Sequence, residues 1–233
     1  MQLLLIGHGR MGKLVEALAP EFDCEVAGVV DEFSAGDALR PGAFPGAEVA
    51  IDFSTAAAIE TNLPKLAALG MNVVIGTTGW NTLEPQLRQV AERAGIGVVA
   101  APNFSIGAIL FSEIAARAGE LLGAREEYGA WLHESHHAAK RDAPSGTALA
   151  LKRTLETAGY RRPIDVSSTR AGHIPGVHTV GFDGPSETVT LTHSVRDRGT
   201  FARGALLAAR WVRGRRGWFS MHDCLGLASG GAG

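Results

Sequence analysis

Residues 133–148 hold the densest chemistry in the chain: His133-Glu134-Ser135-His136-His137, then Lys140, Asp142 and the turn Pro144-Ser145-Gly146-Thr147 that opens an alanine-rich run. Two chemistries compete for these letters. Read as H-E-x-x-H, His133 and His137 stand one helical turn apart and bind zinc, with Glu134 as base. Read as a proton-transfer site, His136 exchanges a proton near neutral pH, and Lys140 neutralises a carboxylate or delivers a proton. In that reading the backbone N–H groups and hydroxyls around Ser145, Gly146 and Thr147 grip an anion at a helix start.

The zinc reading needs a helix through the histidines and a third ligand from elsewhere. Tyr128 to Leu132 shows no helical apolar stripe, and Asp142-Ala143-Pro144 breaks any helix just beyond. No metal is therefore expected. The second reading suits a small dicarboxylate with a reducible C=N or C=C bond, provided that another part of the chain holds a hydride donor. A solvated histidine-rich loop in front of a capped helix is the plainer alternative, so the elements upstream decide.

Those elements are of the required kind. Gln2 to Ile6 is an apolar run too short for a helix, and it ends at Gly7-His8-Gly9-Arg10-Met11-Gly12, a G-x-G-x-x-G. Met11, Leu14, Val15 and Leu18 then recur at helical spacing until Pro20. At a strand-to-helix turn the first glycine permits the tight turn, the second admits a pyrophosphate, and the third lets helix and strand pack closely. A second strand, Cys24 to Val30, ends at Asp31-Glu32, near the offset of an acid that holds an adenosine ribose. A carboxylate there repels a 2′-phosphate and the nearest cation is Arg40, so NADH is favoured over NADPH. A solvated acid at a strand end would look the same.

Strands at Glu48–Phe53, Asn72–Ile75 and Ile96–Ala100 alternate with helices at Ala56–Leu69 and Leu83–Ala94. This is the rhythm of a doubly wound parallel sheet. Three strands end in loops that would line one crevice at their carboxyl ends: Phe53-Ser54-Thr55, Gly76-Thr77-Thr78-Gly79 and Ala101-Pro102-Asn103-Phe104. The expected cofactor residues are thus Gly7, His8, Gly9, Arg10, Met11, Gly12, Asp31, Phe53, Gly76, Thr77, Thr78, Ala101, Pro102, Asn103 and Phe104.

Beyond residue 104 the pattern changes. Helices are expected at Ile109–Leu122, Thr147–Ala158 and Phe201–Val212, and strands at 166–171, 177–182 and 187–195. In the last, Val189, Leu191 and His193 alternate with threonines. The expected architecture is α/β: a Rossmann-like doubly wound domain over 1–104, and an α+β substrate-binding and oligomerisation domain with an open mixed sheet over 105–204. Residues 205–233 form a C-terminal segment returning to the first domain.

Composition narrows the classes. A net charge of -2 with 20% charged residues offers no basic field for nucleic acid. No apolar run reaches the ~20 residues of a membrane span. Cys24 and Cys224 have no disulfide or zinc spacing, and Met1 opens a strand with no signal peptide before it, so reduced thiols in the cytoplasm are expected.

The run from Glu134 to Ala148 matches E-x-H-H-x-x-K-x-D-A-P-S-G-T-A, and on it the chain resembles the 4-hydroxy-tetrahydrodipicolinate reductase family. Gly76-Thr77-Thr78-Gly79, Ala101-Pro102-Asn103-Phe104 and Arg10-Met11-Gly12 match it too, and the likeness spans nearly the whole chain. It implies NAD(P)H-dependent reduction to tetrahydrodipicolinate in lysine and diaminopimelate biosynthesis. It further implies His136 as acid/base, Lys140 as proton donor, and His137, Lys140, Ser145, Gly146 and Thr147 on the substrate carboxylates. The dinucleotide would lie on the loops named above, and the assembly would be a homotetramer built through the second sheet. The glycine loop is one residue shorter than the family's G-x-x-G-[RK]-[MV]-G, Glu32 stands where some members carry an arginine for the 2′-phosphate, and the loops around Ser34 to Ala47 are abbreviated. Two other functions fit the same platform: a dehydrogenase of aspartate or a similar amino acid, and a non-catalytic NADH sensor.

Overall fold

The computed structural model describes residues 1–34 and 38–227. Part of the abbreviated 34–47 loop and the end of the 205–233 segment lie outside the described residues. The chain forms two compact units, one of residues 1–105 and 198–233, the other of Ile106–Asp197.

In the first unit, β1 (Gln2–Ile6), β2 (Glu25–Val30), β3 (Ala47–Asp52), β4 (Asn72–Ile75), β5 (Gly97–Ala100) and β10 (Gly217–Phe219) make a six-stranded sheet in the order β10-β5-β4-β3-β1-β2. All its pairs are parallel. A sheet covered on both sides needs continuously apolar strands, and the runs Leu3 to Ile6, Val49 to Ile51 and Val73 to Ile75 are buried to within 2%. Helices α1 (Arg10–Leu18), α2 (Ala56–Ala68) and α3 (Glu84–Ala94) are the crossovers. The chain runs outward from β1 to β2 and back across to β3. Ligands in such sheets lie at the carboxyl ends of the strands beside that reversal.

The return to this unit comes at Arg198, earlier than the expected boundary after 204. The reason is packing: α6 (Gly199–Val212) buries Ala202, Gly204, Ala205, Leu206, Ala208, Ala209 and Val212, and it lies against β3, β4 and β5. The helix therefore belongs as a whole to the first sheet. Asn72 fastens its end, donating to the Val212 carbonyl at 2.5 Å and accepting from Gly97 N–H at 3.0 Å.

The second unit is a four-stranded mixed sheet in the order β7-β6-β8-β9, formed by β6 (Gly129–His136), β7 (Ile164–Arg170), β8 (Val177–Asp183) and β9 (Thr188–Ser194). β6 pairs parallel with β7 and antiparallel with β8. One face carries Ala130, Leu132, Val180 and Phe182 and packs on Phe111 and Ala115 of α4 (Ile106–Gly123) and on Leu151 and Leu155 of α5 (Gly146–Thr157). Among the described residues no helix is long and apolar enough to cross a membrane.

Candidate active site

The histidine stretch is a strand, which spacing and apolar patterning had not indicated. In β6 the side chains alternate, and Ala130, Leu132, Glu134 and His136 are buried while their neighbours are only partly so. His133 faces the other way, bonded to Ser167 Oγ at 2.8 Å and Ser135 Oγ at 3.1 Å. The helix that H-E-x-x-H requires is absent here, and the zinc geometry with it.

Glu134 is fully buried and sits at the centre of the site. Arg170 grips it as a fork, Nη2 to Oε1 at 2.6 Å and Nη1 to Oε2 at 2.9 Å. His136 Nδ1 meets Oε2, and Ser145 N–H donates to Oε1 at 3.2 Å. Burial alone would raise the Glu134 pKa, but Arg170, Ser168 and His136 together bring it down to about 2. The carboxylate is therefore ionised at neutral pH. Among the described residues Nε2 of His136 has no hydrogen-bond partner, and it is not a sealed atom. That nitrogen lies where a Cβ on Gly176 would come within 3.2 Å, and only glycine leaves it this clearance.

Ser145 caps α5 by accepting from Ala148 N–H at 3.2 Å, and its hydroxyl lies 3.1 Å from His178 Nε2. With Nε2 protonated, His178 donates to Ser145 and leaves the serine hydrogen for an anion. Contrary to expectation, the Ser145 N–H is not free for a ligand, because Glu134 already takes it. Lys140 Nζ holds the Asp142 carboxylate at 2.7 and 2.9 Å. His137 follows the strand end, half-buried, and its carbonyl accepts from Lys140 N–H at 3.1 Å. Glu134, His136 and His178 also offer three metal-type donors within 4.8 Å of one another. The guanidinium of Arg170 already neutralises Glu134, which favours proton chemistry over a cation there.

The expected cofactor residues all lie in the first unit. Gly7 has φ +86°, and a Cβ on Gly12 would stand 2.2 Å from the Gly7 carbonyl oxygen, whereas Gly9 has open space. The loop thus has the turn, the close helix-strand packing and the room that a pyrophosphate needs. A cavity of about 430 Å³ is lined by Gly7, His8, Gly9, Asp31 and Phe53, with Ser54 and Thr55. A second of about 440 Å³ is lined by Thr77, Thr78, Ala101 and Pro102, with Trp218 and Asp223. Arg10, Met11, Gly12, Gly76, Asn103 and Phe104 line neither. Three of them support the loops: Gly76 leaves space for the Phe53 ring, Phe53 meets Phe104 edge to face at 6.2 Å, and Asn103 Oδ1 accepts from Ser105 N–H at 2.8 Å. Asp31 Oδ1 accepts from Phe33 N–H and Ser34 Oγ, at 3.0 and 3.2 Å.

The fold of this chain matches that of the dipicolinate-bound dihydrodipicolinate reductase from Paenisporosarcina sp. TG-14, with a TM-score of 0.78 at 22% identity over 96% of this chain and 98% of that one. Residues 1–104 match the family model "Dihydrodipicolinate reductase, N-terminus", and residues 107–225 match "Dihydrodipicolinate reductase, C-terminus". The chain belongs to the dihydrodipicolinate reductase family. Curated relatives named 4-hydroxy-tetrahydrodipicolinate reductase include one from Methanoregula boonei, 35% identical over 252 residues and covering 94% of this chain and 95% of the relative. Another, from Magnetococcus marinus, is 40% identical over 205 residues, covering 79% of this chain and 75% of the relative. With the family comes the class, an NAD(P)H-dependent oxidoreductase, in which the first unit is the nucleotide-binding half.

Three residues of this reductase fold escaped the sequence reading. Arg170 and His178 reach the site by register: Arg170 pairs across from His136, and His178 from Glu134. The alternation of His178, Val180 and Phe182 was a usable signal for His178; Arg170 had none. Asp52, only 1% exposed, accepts from Ser54 N–H at 2.9 Å, Ser54 Oγ at 2.6 Å, Thr77 Oγ1 at 3.0 Å and Asn62 Nδ2 at 3.1 Å. Burial pushes its pKa up against those hydrogen bonds. It ties two cofactor loops together and looked in the sequence like one more strand residue.

Proposed function

We propose that this chain reduces 4-hydroxy-tetrahydrodipicolinate to tetrahydrodipicolinate, with loss of water, in lysine and diaminopimelate biosynthesis. The observation that carries the reading is the held histidine: Nδ1 of His136 is fixed on Glu134, the carboxylate that also receives Ser145 N–H at the start of α5, while Nε2 is left open. A bound dinucleotide supplies the hydride. His136 exchanges a proton through Nε2 as acid/base, and Lys140 is the proton donor. His137, Lys140, Ser145, Gly146 and Thr147 hold the two carboxylates.

On the cofactor, NADH is favoured over NADPH. Among the described residues lining the cavity at Asp31 there is no lysine or arginine to meet a 2′-phosphate, while Asp31 and Glu32 both lie there. The dinucleotide contacts fall on the glycine loop, Asp31, Phe53, Gly76 to Thr78 and Ala101 to Phe104. We further place the enzyme in the cytoplasm as a homotetramer formed through the second sheet.

The test is an assay in which the product of dihydrodipicolinate synthase is offered with NADH or NADPH. Oxidation of the cofactor is expected, faster at low concentration with NADH. If neither is oxidised, the reaction is wrong; if NADPH is preferred, only the cofactor assignment fails. An NADH sensor would bind the dinucleotide and be indifferent to His136→Gln, and an amino-acid dehydrogenase would turn over without Lys140.

A further inference from the structure

We infer that Glu134 and Arg170 are the positioning pair of this site, fixing the proton-exchanging nitrogen and the anion-binding helix start with one carboxylate. The inference rests on the reading of His136 as acid/base and Ser145 as the head of the anion cradle.

The geometry makes the two oxygens do different things. Oε2 faces His136 Nδ1, so the ionised carboxylate selects the tautomer with hydrogen on Nδ1 and leaves Nε2 to exchange protons. Oε1 receives Ser145 N–H at 3.2 Å and so pins the first residue of the cradle to the same side chain. A carboxylate that bridges two functional groups must not rotate. Arg170 prevents this by bonding both oxygens from a planar fork, which a point charge cannot do. Arg170 is itself held, since Nη1 donates to the Thr169 carbonyl at 2.8 Å and Nη2 to the Asp142 carbonyl at 2.5 Å. The Asp142 contact ties the loop that carries Lys140 to the same fork. Burial gives the arrangement its cost and its rigidity: a fully buried carboxylate persists as an anion only when its acceptor positions are filled.

Replacing Glu134 with glutamine tests this without changing shape. Its NH₂ group must face a donor, and the neighbour that can yield is His136, by shifting its hydrogen to Nε2 and offering a Nδ1 lone pair. The experiment is ¹H–¹⁵N spectroscopy of the His136 ring in the full chain, wild type against Glu134→Gln, Arg170→Lys and Arg170→Met, with steady-state kinetics on the same samples. The wild type is expected to show hydrogen on Nδ1. Glu134→Gln should move it to Nε2 and lower kcat by roughly 10²-fold or more, the size of a lost acid/base function. Affinity for the dinucleotide, set by residues of the other unit, should stay within about twofold, inside the spread expected of sites with no shared partners. Arg170→Met should lower kcat, and Arg170→Lys should recover part of it. A His136 ring that keeps its tautomer in Glu134→Gln, with kcat within about threefold of wild type, overturns the proposal by falling short of that acid/base loss. If that variant does not fold, an unchanged tautomer and kcat in both Arg170 variants does so instead. A wild type inactive on the proposed substrate defeats the reaction reading alone, because the tautomer measurement needs no turnover.

Discussion

His178 meets His136 edge to face, with ring centroids 5.1 Å apart, and its pKa is lowered to about 4. Burial is the main cause and repulsion from His136 the next, with a smaller opposing pull from Glu134. The unfolded chain binds a proton at this position below its ordinary 6.5, whereas the folded chain does so only near 4. Between those values the unfolded state holds more protons, so stability falls as pH drops, by at most ~1.4 kcal/mol per pH unit for one proton. The depressed carboxyl of Glu134 adds a second loss, beginning below its ordinary 4.5 and completed near 2. Urea midpoints measured from pH 7 to pH 4 should therefore decline, and His178→Asn, which can still donate to Ser145, should flatten the decline. A smaller slope from His193, also lowered by burial, should persist in both proteins. An equal slope in the variant would show that His178 is not the group responsible.

The Asp142 carboxylate rests on Lys140, a donor assigned to a substrate carboxylate, and Lys140 chiefly holds its pKa below the usual value. Substrate must displace it. Asp142 is more than half exposed, so the exchange is inexpensive, but the internal carboxylate still competes. Asp142→Asn should lower KM for the substrate by up to roughly fivefold, the upper end of what an exposed ion pair contributes, and leave KM for the dinucleotide unchanged. A raised substrate KM would mean that Asp142 serves to orient Lys140.

How much of this could be read from the letters follows from the range of the interactions. The glycine turn, the alternating strands and helices and the helix start after Pro144 are local, and propensity with periodicity located them within a few residues. β6 was missed because Glu134 and His136 occupy its buried positions, so the apolar alternation stops at Leu132 although the strand does not. Arg170 and His178 join the site only through pairing of β6 with β7 and β8, and no spacing within one segment encodes a register between segments. The early return at Arg198 was hidden likewise, because the small residues of α6 have meaning only against the sheet they cover.

Burial raises the thiols of Cys24 and Cys224, the second to about 12. Since the thiolate is the reactive form, neither should react appreciably with a disulfide reagent in native protein at pH 8, and both should titrate in urea. Fast labelling of one thiol in native protein would show that its surroundings open locally.

Gly204 on α6 lies against the loop that ends at Phe104, where a Cβ would stand 1.8 Å from the Phe104 carbonyl oxygen and 2.8 Å from its carbon. In an unobstructed helix, glycine to alanine gains about 1 kcal/mol. Here the obstacle is backbone, so no rotamer relieves it, and overpacking costs of about 1–3 kcal/mol or more apply. Phe104 is buried and meets the ring of Phe53, which lies over Gly76, so separating helix from loop disturbs the cofactor side of the sheet as well. Gly204→Ala is thus expected to lower Tm by several degrees, at about 2–4 °C per kcal/mol for a chain of this size, and to raise KM for the dinucleotide more than KM for the substrate. A raised Tm would show that loop and helix have slack to separate, and an unchanged dinucleotide KM would show that Phe104 does not transmit the strain.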